Sequence, residues 1–164
     1  MIEGSLLRPS IAALRAEYNR KLRSEWAGRW AESERGRRYA RIGRTPPSAK
    51  VTRSYAGLKR DETAILTQLR TGHVALNAYL KRIKAVDSSL CQSCSEPETV
   101  DHFLLRCHRF RDARQVLRSK LRGQPLSLRT LLGMTRNLPA LMSYVKATDR
   151  LAPRATLSPP STPS

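Results

Sequence analysis

The sequence predicts a mainly α-helical fold, with a small helical domain and a disordered tail rich in proline and serine. Apolar residues recur every three or four positions in several segments, which is the periodicity of one helix face. No window alternates polar and apolar residues long enough to form a long strand. All three cysteines and two of the three histidines lie between residues 90 and 110, which predicts a metal site of the CCHC type.

Residues 1–60 are predicted to form a basic helical arm with a proline-containing connection. Ser10 can cap a helix whose apolar residues recur at helical spacing, namely Ile11, Leu14, Tyr18, Leu22, Trp26 and Trp30. This helix should end in the run SERGRRY, and the run RTPPSAK reads as a connection. The two tryptophans lie one turn apart among arginines. Core packing is their expected role, and stacking on nucleobases is the alternative.

Residues 61–150 are predicted to form a second, helical domain. Asp61 can cap the helix DETAILTQLR, and Gly72 ends it, so His73 is expected at a helix end rather than in a ligand set. Further helices are predicted in VALNAYLKRIK and in RFRDARQVLRSKLRG, and two shorter ones from Ser127 and Asn137. Residues 151–164, LAPRATLSPPSTPS, lack the apolar residues of a core and are expected to be disordered.

The charge of the chain predicts an anionic partner. Lys and Arg number 31 against 13 Asp and Glu, a net charge of +18. The excess lies in residues 1–60, at +10, and 108–164, at +9, whereas residues 61–107 carry −1. We therefore expect RNA or DNA phosphates to bind the flanks. The run RGRRYARIGR supplies the candidate contacts: Arg35, Arg37, Arg38 and Arg41. The alternative roles for this run are a solvated helix face and a nuclear localisation signal.

No membrane span or signal peptide is evident in the sequence, so the chain is expected to be intracellular, in the nucleus or the cytoplasm. Cysteines in a reducing compartment more often bind metal than form disulfides. The spacing Cys91-x2-Cys94-x7-His102-x4-Cys107 predicts a closed, structural Zn²⁺ site with four protein ligands. His108 is the alternative fourth ligand. Buried thiols without metal, or a redox Cys-x-x-Cys pair, are the alternatives to zinc.

Helix geometry adds a constraint to this site. Five residues of regular helix rotate by roughly 500°, so His102 and Cys107 cannot face one ion from an unbroken helix. The helix that carries His102 should therefore end near Arg106. Ser95 and Glu98 have the spacing of a capping box, which predicts that this helix begins around Glu96.

A family resemblance rests on the four spaced ligands and on four short motifs: LRTGH, LNAYL, ETVDHFLLRC and LPALMSYVKAT. From about Leu6 to Leu151, the chain resembles the C-terminal region of fungal non-LTR (LINE-like) retrotransposon polyproteins, downstream of their reverse transcriptase and ribonuclease H domains. The resemblance implies that the four ligands form the element's C-terminal zinc finger, and it implies no catalytic residue. It also implies Gly-Arg-Phe where this chain has Asp149-Arg150-Leu151.

These observations predict a zinc-stabilised, nucleic-acid-binding remnant of a retrotransposon polyprotein. The chain has no Tyr-x-Asp-Asp word and no strand-borne carboxylate cluster for two metal ions, so we expect no catalytic centre. One alternative is an accessory fragment that acts only with a partner carrying the active site of a reverse transcriptase or ribonuclease H. The other is an adaptor that binds proteins, among them other parts of the polyprotein.

Overall fold

The computed structural model of the chain describes residues 9–43 and 49–152. It is mainly helical and has no strand within those ranges, which confirms the predicted fold class. Apart from Leu151 and Ala152, the predicted disordered tail lies outside the described residues. The chain divides into two units, residues 1–46 and 47–164, at the predicted proline-containing connection. The predicted domain boundaries after residues 60 and 150 stay predictions. No helix of the described ranges has the length and apolar character needed to cross a membrane.

Two helices joined at a serine cap make up the first unit between residues 9 and 43. Helix α1, Ile11–Glu32, begins where the Ser10 hydroxyl accepts a hydrogen bond from the Ala13 amide, at 3.2 Å. Helix α2, Glu34–Ala40, begins at Ser33, whose hydroxyl accepts from the amide of Gly36 at 2.9 Å. A Cβ atom at Gly36 would lie 1.7 Å from the carbonyl oxygen of Trp30. Only glycine therefore fits this junction.

The apolar stripe of α1 is exposed. Ile11 is 71% exposed and Tyr18 67%, and no residue of α1 is buried. The expected core packing of the tryptophans is wrong for Trp26, which is 42% exposed, whereas Trp30 is half-buried. Their rings stack on each other with centroids 5.9 Å apart. Periodicity identified the helix and its apolar face, but it carries no information on what covers that face.

The described part of the second unit contains four α-helices and several shorter helical turns. Helix α3 spans Arg60–Thr71, α4 Asn77–Arg82, α5 Arg111–Lys120 and α6 Leu138–Thr148. The turns are π-helical at His102–Arg106 and Arg129–Gly133, and 3-10 at Ala49–Tyr55, His108–Phe110 and Thr135–Asn137. Glu62 rather than the predicted Asp61 caps α3, by accepting from the Lys59 amide at 3.0 Å. Gly72 ends it as predicted, in the left-handed conformation with φ 75°.

The core of the second unit forms around Phe103, which is fully buried. Its ring lies 5.4 Å from the rings of both Phe110 and Tyr144, centroid to centroid. The Tyr144 hydroxyl donates to the carbonyl oxygen of Phe103 at 2.6 Å, and burial raises the pKa of Tyr144 to about 12. Leucines of α3, α5, α6 and the 129–133 turn complete the core, among them Leu66, Leu69, Leu117, Leu131, Leu132, Leu138 and Leu141. Burial of each such side chain stabilises the fold by about 1.5–3 kcal/mol.

Candidate metal centre

The first two cysteines lie on a small hairpin. An isolated antiparallel bridge joins Leu90 to Pro97, and the Cys91 amide donates to the Glu96 carbonyl oxygen at 2.7 Å. Ser95 adopts the left-handed conformation, with φ 53°, and its amide donates to the Cys91 carbonyl oxygen at 2.9 Å. This tight turn places the sulfur atoms of Cys91 and Cys94 in the same cluster of candidate ligand atoms.

His102 and Cys107 are brought together by the π-helical turn. The Cys107 amide donates to the His102 carbonyl oxygen at 2.8 Å, a bond across five residues. Because the i→i+5 hydrogen bond widens the turn, His102 and Cys107 lie closer in rotation than they would in an α-helix, and both side chains can face one ion. The turn ends at Arg106, as predicted. The predicted start near Glu96 is wrong, because the hydroxyl of Thr99 rather than that of Ser95 caps the segment, accepting from the His102 amide at 3.2 Å.

The four predicted ligand atoms form one cluster. One ligand atom each from Cys91, Cys94, His102 and Cys107 lies within 4.8 Å of all the others. The sulfur of Cys107 is 3.8 Å from the sulfurs of both Cys91 and Cys94. Sulfurs bound at about 2.3 Å to one tetrahedral ion are themselves about 3.8 Å apart. The cluster can therefore hold a metal ion, and its dimensions are consistent with zinc.

The imidazole of His102 offers one specific nitrogen to this cluster. Its Nδ1 atom lies 3.2 Å from a carboxylate oxygen of Glu96, a contact that fixes the ring orientation. Its Nε2 atom is buried and has no hydrogen-bond partner among the described residues. A buried polar atom without a partner costs stability, and a metal ion would satisfy it. Sequence reasoning missed Glu96, since a single carboxylate between two ligands is a weak signal.

The thiols differ in their electrostatic environment. Burial raises the pKa of the Cys107 thiol to about 12. The pKa of Cys94 is lowered, chiefly by a hydrogen bond from the His108 backbone amide, whose nitrogen lies 3.3 Å from the sulfur. His108 itself is exposed, and its side chain is outside the cluster. The structure thus favours Cys107 over His108 as the fourth ligand, and a bound cation would displace the remaining thiol protons.

A buried ion pair anchors the hairpin to the end of α6. The carboxylate of Glu98, which is 5% exposed, accepts from Arg150 Nε at 2.8 Å and Nη2 at 2.5 Å, and from the Asn77 amide at 2.8 Å. Arg150 Nη1 also donates to the Ala75 carbonyl oxygen at 2.9 Å. Because these bonds use the Glu98 side chain, it cannot form the predicted capping box.

The predicted nucleic-acid contacts all belong to the first unit. Arg35, Arg37 and Arg38 lie on α2, and Arg41 is its C-terminal cap residue. All four side chains are exposed. At about 100° of rotation per residue they cover an arc of roughly 160° of the helix surface. Arg37 Nη1 donates to the Glu32 carbonyl oxygen near the end of α1. The structure brings the four arginines onto one side of α2, and their binding of nucleic acid stays a prediction.

Fold and cluster together define a small helical protein with a candidate Cys₃His metal centre. The chain is similar to the "Retrovirus-related Pol polyprotein from type-1 retrotransposable element R1 4" of Nasonia vitripennis, with 28% identity over 149 residues. The match covers 87% of this chain and 37% of the relative, so the chain spans well under two thirds of that protein. No family model matches the chain, and no solved structure matches it significantly. The similarity supports an origin in a non-LTR retrotransposon. Because the relative comes from an insect, the fungal origin stays a prediction.

Proposed function

We propose that this chain is a zinc-stabilised, nucleic-acid-binding remnant of a retrotransposon polyprotein, with no catalytic centre of its own. The observation that carries the proposal is the cluster, with its sulfur pairs 3.8 Å apart and the buried, unpartnered Nε2 of His102. Zn²⁺ would be held by Cys91, Cys94, His102 and Cys107. Four protein ligands leave no open position, which is typical of structural rather than catalytic zinc. The cluster corresponds to the C-terminal finger that the family resemblance implies.

The proposed partner is RNA or DNA, bound through its phosphates. Support comes from the net charge of +18, which is concentrated in the two flanks. The exposed arginines on one side of α2 give this charge a surface: Arg35, Arg37, Arg38 and Arg41. Lys and Arg bound to phosphates release counterions, which supplies affinity with little sequence preference.

The exposed stripe of α1 favours a second candidate, an adaptor that binds other parts of the polyprotein. A stripe of exposed apolar side chains from Ile11 to Trp26 is the kind of surface that protein partners bury. Salt-insensitive association with a protein partner would favour the adaptor, whereas salt-dependent RNA binding favours our proposal. The accessory-fragment alternative requires a copurifying polymerase, in keeping with the Pol polyprotein to which the chain is similar.

Metal content tests the zinc part of the proposal. Purified protein should carry about one zinc ion, and X-ray absorption should find three sulfurs at about 2.3 Å and one nitrogen at about 2.0 Å. The variants Cys91→Ser and His102→Ala should lose the ion, whereas His108→Ala should keep it. A metal-free protein from zinc-replete medium, or a Cys107→Ser variant that retains zinc while His108→Ala does not, would contradict the assignment.

Salt-dependent binding tests the nucleic-acid part. Replacing the four arginines of α2 with glutamine should flatten the plot of log affinity against log salt by about 0.7 to 0.9 for each lost phosphate contact. The control replaces three exposed cations of the neutral centre: Lys81, Arg82 and Lys84. A flatter slope for the control but not for the arginine variant would refute this division of roles. Separately, the chain with Mg²⁺ should neither extend a primer nor cut an RNA–DNA hybrid.

A further inference from the structure

A basic cleft lies beside α5, next to the metal cluster. Its volume is about 730 Å³, which is within the range of ligand pockets. The lining residues are Leu105, His108, Arg111, Arg114, Gln115 and Arg118. Three arginines and one histidine thus line a single concave surface, and no carboxylate is among the lining residues. Such a surface concentrates positive potential and attracts an anion.

The three arginines of this cleft lack anionic partners. Their spacing of three and four residues places them on one face of the helix. Arg111 and Arg118 are exposed, and their side chains have no ion-pair or hydrogen-bond partner in the described part of the chain. Arg114 is 7% exposed and donates through Nη2 to the Cys107 carbonyl oxygen at 2.7 Å. Its Nη1 is buried without a hydrogen-bond partner in that part. The charge of the guanidinium group and a hydrogen bond from it lower the pKa of the Tyr144 hydroxyl against the effect of burial.

We infer that this cleft binds the backbone phosphates of a nucleic-acid strand. The inference rests on the proposed function and adds a second contact surface, separate in sequence from α2. A guanidinium group matches a phosphate with two parallel hydrogen bonds, which favours phosphate over a monodentate anion. Arg111 and Arg118 lie about 10 Å apart along the helix axis. That distance spans about three steps of 3.4 Å along the axis of a duplex, so the two guanidinium groups can bind different phosphates of one strand.

The metal ligands position two sides of the cleft. The backbone amide of His108 donates to the Cys94 sulfur at 3.3 Å, so the residue that contributes the imidazole is held by one ligand. The Cys107 carbonyl oxygen holds the guanidinium of Arg114 at 2.7 Å. A metal ion in the cluster would therefore keep His108 and Arg114 in place. Chelation should weaken binding at this cleft before it affects binding at α2.

The test compares the double variant Arg111→Gln/Arg118→Gln with the matched control Arg122→Gln/Lys146→Gln in the zinc-loaded full chain. Both variants remove two exposed cations, and the control residues lie outside the cleft. Binding of a short single-stranded RNA is measured at several salt concentrations. The cleft variant should bind roughly tenfold more weakly at low salt, and its salt slope should fall by about 1.4, or about 0.7 per contact. The control should change the slope by less than half of that amount.

The outcomes separate this inference from the proposed function. Equal losses of RNA affinity in the cleft variant and the control variant would overturn the inference about the cleft. Binding by the wild type, and loss of that binding in the α2 variant, would still support the proposed function. If the wild type binds no strand, the proposed function fails. Inorganic phosphate is then titrated alone and followed by the ring signals of His108 in NMR spectra. Binding of free phosphate without binding of any strand would overturn the inference and assign the cleft to a free anion.

Discussion

Replacing Arg150 with methionine should destabilise the second unit by about 3 kcal/mol. The side chain of Arg150 is 14% exposed, and two of its nitrogens bind the carboxylate of the buried Glu98. The variant removes both charged donors and leaves the carboxylate with the Asn77 amide at 2.8 Å. It also removes the Nη1 donor of the Ala75 carbonyl oxygen. Methionine keeps most of the volume of the side chain, so the loss is electrostatic rather than a cavity effect.

The size of this loss in stability depends on which member of the ion pair remains buried after the substitution. Removing one member of a buried ion pair costs about 3–5 kcal/mol, because the remaining charge is buried without compensation. The lower end applies here, since Arg150 is at the edge of the unit and water can approach Glu98 once the guanidinium is gone. A loss of this size should lower the melting temperature by about 10 °C.

Urea unfolding of the zinc-loaded protein, followed by circular dichroism, measures the effect. Lys146→Met on the exposed side of α6 is the control and should change the free energy of unfolding by less than about 0.5 kcal/mol. The double variant Glu98→Gln/Arg150→Met should be less destabilised than the sum of the two single variants, because no unpaired charge remains. A loss below about 0.5 kcal/mol for Arg150→Met, or full additivity in the double variant, would refute the reasoning.

Three further predictions concern single side chains. Asp149 ends α6 in the left-handed conformation, with φ 51°, so Asp149→Gly should stabilise the protein by about 0.5–1 kcal/mol in thermal unfolding; a lower melting temperature would contradict this. Gly36→Ala should disrupt the α1–α2 junction and accelerate amide exchange in α2, whereas Gly28→Ala, with nothing within 4 Å of the new methyl, should slightly stabilise α1. Glu96→Gln should weaken zinc affinity about 10- to 100-fold in chelator competition by loosening His102, and unchanged affinity would rule out that role.

Local signals in the sequence predicted the helices and the ligand set. Ser10 and Gly72 act within one turn of their own position, and the cysteine spacing is itself a local pattern. The capping box at Ser95 failed for a reason that lies far away in the chain, since the Glu98 carboxylate is used by Arg150 instead. Residues 52 positions apart leave no periodic pattern in one sequence.

The connection between His102 and Cys107 is a second feature that the sequence did not predict, although the two residues are close in the chain. Regular helix geometry correctly excluded an unbroken helix between them. The π-helical turn that solves the problem is rare, and nothing in HFLLRC distinguishes it from a helix that simply stops. For the exposed stripe of α1, periodicity predicted the helix, but the partner that would bury Trp26 and its neighbours is not encoded in that segment.

The metal cluster and the hydrophobic core share the segment from His102 to Phe110. His102 and Cys107 are ligands at the two ends of the π-helical turn, and Phe103 and Leu104 between them are fully buried. A metal ion that joins the two ligands therefore also fixes the turn that inserts Phe103 against Tyr144. Its loss would release core side chains as well as the cysteine hairpin. The free energy of binding such an ion would then contribute directly to the free energy of unfolding of the second unit, as expected of a structural ion and not of one that only occupies a surface site.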